Sequence, residues 1–93
     1  MSSDDVEAER LARILGSEKA AVFGDGSSIF GLSKEFAEEL CKFIENLIKE
    51  EEFFGYAIVN GESLVFRKKE GEFLIAFVED DKLMGSLRKL GEI

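Results

Sequence analysis

Six consecutive residues, Phe73-Leu74-Ile75-Ala76-Phe77-Val78, are apolar without a break, between Glu72 and Glu79. A strand with no polar side must be buried on both faces, because successive side chains point to opposite sides of a sheet. Such a strand is central, and its sheet needs helices above and below. The rest of the chain has to supply those layers.

The pattern predicts them in the order α-β-β-α-β-β-β-α. Residues 4–15 read as a helix with Leu11, Ile14 and Leu15 on one side, Ser2 or Ser3 as its cap and Gly16 as its stop. A strand at 20–23 turns at Asp25-Gly26 and returns over 28–32. Ser33 caps the strongest helix, 34–49, supported by the i,i+4 pairs Glu38–Lys42 and Glu45–Lys49. Strands follow at 53–59, 63–69 and 73–79, joined by Asn60-Gly61 and Glu70-Gly71. Two-residue turns throughout make neighbouring strands antiparallel. Asp80 or Asp81 caps a last helix over 82–90, with Leu83, Met84, Leu87 and Leu90 as its stripe and Gly91 as its C-cap. The expected fold is α/β (α+β): a five-stranded, mainly antiparallel sheet with one helix on one face and two on the other. At 93 residues, with no composition break, it forms one domain with a core over about 4–91.

Composition excludes several functions. The chain carries 12 basic and 20 acidic residues, a net charge of −8, which opposes binding to nucleic acid or anionic membranes. It has no His, so the commonest general base and metal ligand is missing. Its one Cys, Cys41, can make neither an internal disulfide nor a zinc site. No cofactor, no metal and no catalytic residue is expected. No apolar run is long enough to span a membrane, and the acidic start MSSDDVEAER does not read as a signal peptide, so a cytoplasmic protein is expected. The Glu/Lys enrichment, with two Asn and no Gln, fits a thermophile.

Several local signals have plain readings. Gly24-Asp25-Gly26-Ser27-Ser28 lacks the Gly-Lys-Ser/Thr of a phosphate loop and leads into a strand, so it reads as a hairpin turn. Cys41 reads as a buried structural thiol. Glu79-Asp80-Asp81 lacks calcium-loop spacing and reads as the acidic start of a helix. Arg67-Lys68-Lys69 and Glu50-Glu51-Glu52 read as solvated ends.

The order of elements, together with A-A-V-F-G-D-G (20–26) and F-L-I-A-F-V-E-D-D-K-L-M-G-S-L-R-K-L (73–90), resembles the Roadblock (dynein light chain) family in its prokaryotic, archaeal form. The first stretch is similar to that family's first strand and Asp-Gly hairpin. The second is similar to its last strand, acidic turn and closing helix with Gly-x-x-Arg, here Gly85 and Arg88. Leu83 stands where members often have Asn, and the central helix is poorer in Ala and Gly than theirs. The resemblance implies a dimer built through central helices and paired third strands, acting as a platform for a small Ras-like GTPase or as an adaptor light chain of a larger complex.

Two features of the residues meet that implication. Apolar side chains of the central helix cover an arc of about 160°, wider than one sheet contact needs. Phe36, Leu40, Phe43 and Leu47 are expected to face the sheet. Ala37, Cys41, Ile44 and Ile48 are expected to meet a second copy, unless they widen the core contact. The strand 53–59 sets Phe54, Tyr56 and Ile58 on one face and Phe53, Gly55, Ala57 and Val59 on the other; in the strand order that the resemblance implies it is an unguarded edge, an aggregation hazard unless paired with its own copy or covered by the nearby chain. The expected activity is thus non-enzymatic. Its partners are a second copy or another Roadblock chain, and a GTPase. The alternative is a small-molecule sensor of profilin-like or PAS-like type.

Overall fold

The computed structural model describes residues 4–92. The expected Ser2/Ser3 cap lies outside them. The elements are α1 (Asp4–Leu15), β1 (Lys19–Phe23), β2 (Ser27–Phe30), α2 (Lys34–Leu47), β3 (Phe53–Val59), β4 (Glu62–Lys69), β5 (Glu72–Val78) and α3 (Leu83–Glu92), with a 3-10 turn at Asp80–Lys82 before α3.

Residues 73–78 behave as their composition demands. β5 is the middle strand of one five-stranded sheet, β2-β1-β5-β4-β3, and all six side chains are buried. Every pairing is antiparallel. α1 and α3 cover one face, over Ala20, Val22, Val65, Leu74, Ala76 and Val78. α2 covers the other, over Leu64, Phe66, Phe73, Ile75 and Phe77.

The two faces pack differently. Ala8 and Ala12 of α1 meet alanines of the sheet, so α1 crosses closely over β2 and β1. On the other face the sheet presents large rings, and Phe53 stands edge-on to Phe66 and Phe73 with centroids 5.9 Å apart in each pair. The α2 backbone stands further off. At roughly 25 cal/mol per Å² of apolar surface removed from water, both layers stabilise the sheet. Only the alanine-lined layer does so by close backbone approach.

Turns explain the departures at element ends. Asn60-Gly61 and Glu70-Gly71 each place both residues at positive φ, as two-residue hairpins with the right twist require. The β1–β2 connection has three residues, 24–26, because Phe23 pairs with Ser27, and Gly24 N–H donates to the Gly26 carbonyl. β2 stops at Phe30 because Gly31 has φ +74, and a Cβ there would lie 2.0 Å from the Glu18 carbonyl oxygen. The chain can turn that tightly only at glycine. Before α3 the cap position is Glu79, with no side-chain capping bond; the Asp80 carboxylate instead accepts from the Ser63 hydroxyl. Gly91 lies inside α3 and is not its C-cap. The buried side of α3 is Ser86 and Leu90, flanked by half-buried Leu83 and Leu87, and Met84 is turned out to solvent.

Candidate functional site

β3 is an edge strand with one neighbour, β4. Its burial alternates strictly. Phe53, Ala57 and Val59 pack toward α2. Phe54, Tyr56 and Ile58 point to the opposite face and are 60%, 51% and 68% exposed. Their neighbours across the ladder are Arg67, Val65 and Ser63, and α3 runs beside them. The three large apolar side chains form one exposed line along the sheet edge.

The hairpin fixes which way the backbone of this edge points. A two-residue turn makes its flanking residues, Val59 and Glu62, a hydrogen-bonded pair. Bonding pairs then recur at every second position, so residues 53, 55, 57 and 59 direct their N–H and C=O groups to β4. Phe54, Tyr56 and Ile58 direct theirs to the open side. The same three residues therefore carry both the exposed apolar side chains and the outward backbone groups.

The central helix is rotated from expectation. Ala37, Leu40 and Ile44 are buried against the sheet, Cys41 and Ile48 are half-buried beside them, and Phe43 and Leu47 are 56% and 66% exposed. Ala37 and Ile44 are core residues and Cys41 and Ile48 pack half-buried against that core, so the four do not form a free second stripe. Two causes set this rotation. The sheet already supplies Phe23, Phe53, Phe66, Phe73 and Phe77 to this layer, which leaves room for alanine, leucine and isoleucine from the helix. Phe36 is the exception and stacks on Phe77, with centroids 6.2 Å apart. In addition the Lys68 ammonium reaches the Glu45 carboxylate at 2.6 Å and ties that flank of α2 to β4. The expected Glu45–Lys49 pair gives way to this longer-range one. The hydrogen bond to Glu45 raises the pKa of Lys68 above its usual value.

Burial, followed by the Glu45 charge, pushes the Cys41 thiol up to about 12. It stays protonated, and its Sγ lies 3.6 Å from Glu45 Oε1 as a donor. That is the behaviour of a structural thiol, not of a nucleophile.

The basic run is not solvated as a whole. Arg67 is 8% exposed; its Nη1 donates to the Leu90 carbonyl at 3.1 Å, and its Nη2 lies 3.6 Å from Glu72 Oε1. A guanidinium thus caps the C-terminal end of α3, where the helix dipole favours a cation. Its Nε is buried without a partner. The pattern gave no warning, because a charged residue two places from a strand end usually reaches water. Gly85, part of the family-like Gly-x-x-Arg, has nothing within 4 Å of a Cβ placed there, so packing does not demand glycine at that position.

An open groove of about 770 Å³ lies at one end of the sheet, between residues 16–19, 61–63 and 77–82. Several of its polar groups are engaged with one another. Lys19 Nζ binds Glu62 at 3.0 Å, Ser63 binds Asp80, and Ser17 Oγ lies within hydrogen-bond reach of the Lys19 and Phe77 carbonyls and accepts from the Lys19 N–H. Among the described residues, no three His, Cys, Asp or Glu side chains gather closely enough to hold a metal ion, and no helix is long and apolar enough to cross a membrane.

These features define an α+β protein with one antiparallel sheet, a helix layer on each face and one bare edge. An Archaeoglobus fulgidus protein, named only as an uncharacterized protein, is 33% identical over 88 residues, covering 95% of this chain and 96% of that protein. The chain belongs to the same family as that archaeal protein. No family model matches the chain, and no solved structure matches it.

Proposed function

We propose that this chain is a non-enzymatic, dimeric regulatory or scaffolding module that binds a small Ras-like GTPase in the cytoplasm of a thermophilic archaeon. The observation that carries the dimer is the β3 edge. A seven-residue strand with one partner and three exposed large apolar side chains is a pairing surface that a monomer would leave as an aggregation hazard. Pairing with its own copy is self-complementary about a two-fold axis. Of the two contact surfaces expected, this one stays in the proposal; the helix stripe at Ala37 and Ile44 is spent on the core.

The GTPase rests on the Roadblock resemblance. The two family-like stretches make up β1 with its turn and β5 with α3, and they lie together at the centre of the sheet and its α1/α3 layer. An adaptor light chain would use the same edge. Light scattering after size exclusion at low micromolar concentration tests the dimer: twice the chain mass is expected, and a clean monomer would rule it out. Pull-down against the GTPases of the source genome, loaded with GDP or GTP, tests the partner. Capture of none in either state would remove the GTPase from the proposal.

One observation favours the second reading, a small-molecule sensor: the groove of about 770 Å³ at the sheet end. It opens to solvent at the end of the sheet, whereas a profilin-like or PAS-like sensor encloses its ligand. A metabolite screen by thermal shift would revive that reading with a single reproducible stabilising ligand.

A further inference from the structure

We propose that Arg67 and the apolar cavity next to it form a binding site for a small apolar carboxylate. The acid group sits on the Nε–Nη2 edge of the guanidinium, and the hydrocarbon part lies against Leu11, Ile14, Val22 and Leu74. The site lies between α1 and the strands β1 and β5, away from the β3 edge, and depends on neither the dimer nor the GTPase.

The guanidinium carries the first half of the argument. Arg67 is 8% exposed, and one side of its planar head is committed: Nη1 donates to the Leu90 carbonyl at 3.1 Å. The other side is not. Among the described residues Nε is buried with no partner, and Nη2 has only Glu72 Oε1 at 3.6 Å, beyond hydrogen-bond length. Nε and Nη2 share one edge of the group, the fork whose two N–H bonds match the two oxygens of a carboxylate. A buried N–H left unpaired is costly, so an anion that closes on this edge gains more than it would at a solvated arginine. Glu72 holds the place loosely. Its side chain is 47% exposed, so it can turn out to water when another carboxylate takes the fork.

The cavity supplies the second half. Arg67 and Leu74 are partners in the β4–β5 register, so their side chains stand next to each other on one face of the sheet. Leu74 and Glu72 both line an open cavity of about 220 Å³, with Val22 beside Leu74, and Leu11 and Ile14 of α1 opposite. The cavity and the open edge of the guanidinium therefore meet at the same two residues. A cavity of about 150 Å³ holds one benzene, so this one suits a ligand of roughly eight non-hydrogen atoms, the size of a six-carbon acid. Its polar lining selects the charge. Glu7 and Arg10 offset one another at the α1 side, and Glu7 with Glu72 opposes a multiply charged anion such as phosphate. A neutral hydrocarbon would fill the cavity and leave Nε unpaired. A single carboxylate with an apolar tail satisfies both halves.

Isothermal titration of the full chain at neutral pH tests the site, with hexanoate as the probe and acetate and hexanol as its two halves. Hexanoate should bind one to one with a Kd of about 1 mM or tighter. Acetate and hexanol should each bind at least about tenfold more weakly, since each lacks one of the two contacts. Glu72→Gln removes the competing charge at an exposed position and should tighten hexanoate by about threefold to tenfold. Arg67→Met, shown to be folded by its urea transition, should weaken hexanoate by at least about tenfold. No saturable binding of hexanoate to the parent chain overturns the proposal. So does binding of hexanoate to Arg67→Met, or of hexanol to the parent chain, as tight as that of hexanoate to the parent chain. If Arg67→Met does not fold, Glu72→Gln decides: an unchanged or weakened affinity for hexanoate overturns it.

Discussion

At one margin of the sheet, β2 is four residues long and lies under α1; at the other, β3 runs seven residues with three exposed large apolar side chains. The β2 edge is short, carries Ser27 and Ser28, and is tied down. Ala8 N–H donates to the buried Ser28 hydroxyl at 2.9 Å, and Gly31 ends the strand against the Glu18 carbonyl. Among the described residues, α3 runs beside β3 but leaves Phe54, Tyr56 and Ile58 more than half exposed. Both edges leave one row of backbone groups without a strand partner, and they differ in length and in the exposed apolar side chains that only β3 carries. Damage at β2 should therefore register as lost stability, and change at β3 as lost association.

Gly31→Ala should be the most harmful change. A left-handed φ costs an alanine about 1 to 2 kcal/mol, and a Cβ at 2.0 Å from a backbone oxygen must displace the chain, so a total loss of about 3 kcal/mol or more is expected in urea unfolding. A loss under about 1 kcal/mol would show that the turn relaxes and the β2 margin is less tightly built than described.

Arg67→Ala comes next, at about 2 to 3 kcal/mol. It removes the cap on the Leu90 carbonyl and leaves a hole beneath α3, next to the open edge. Arg67→Met keeps the volume and discards a buried charge whose Nε has no partner, so it should cost less than the alanine change. If the two variants unfold at the same urea concentration, the guanidinium contributes through its bonds and not its bulk.

Ser28→Ala should cost about 1 kcal/mol, because it removes a buried hydroxyl that accepts from the Ala8 N–H of α1. The equivalent measurement on the other margin is Ile58→Lys. Its side chain is 68% exposed, so folding stability below the association threshold should change by no more than about 0.5 kcal/mol. The dimer signal in light scattering should nevertheless disappear. A variant that unfolds early yet still dimerises would reverse the contrast between the two edges.

Much of the architecture was legible beforehand because it depends on neighbours in sequence. The unbroken run 73–78 had to be central, Asn60-Gly61 had to be a tight turn, and the alternation of 53–59 set Phe54, Tyr56 and Ile58 together on one face. Two features were out of reach for a local pattern. The arc of α2 was wide enough to face the sheet at several rotations, and the phenylalanines of β1, β3, β4 and β5 and the Lys68–Glu45 pair chose among them. Arg67 sat in what read as a solvated basic run, and only α3 folding over β4 buried it.

The sequence by itself determined the strands, the turns and the central place of β5, because side-chain period and turn chemistry are short-range properties. The tertiary structure decided which side of α2 is core, why residue 31 must be glycine and what Arg67 does. Each of those depends on how segments far apart in the chain fill one shared volume.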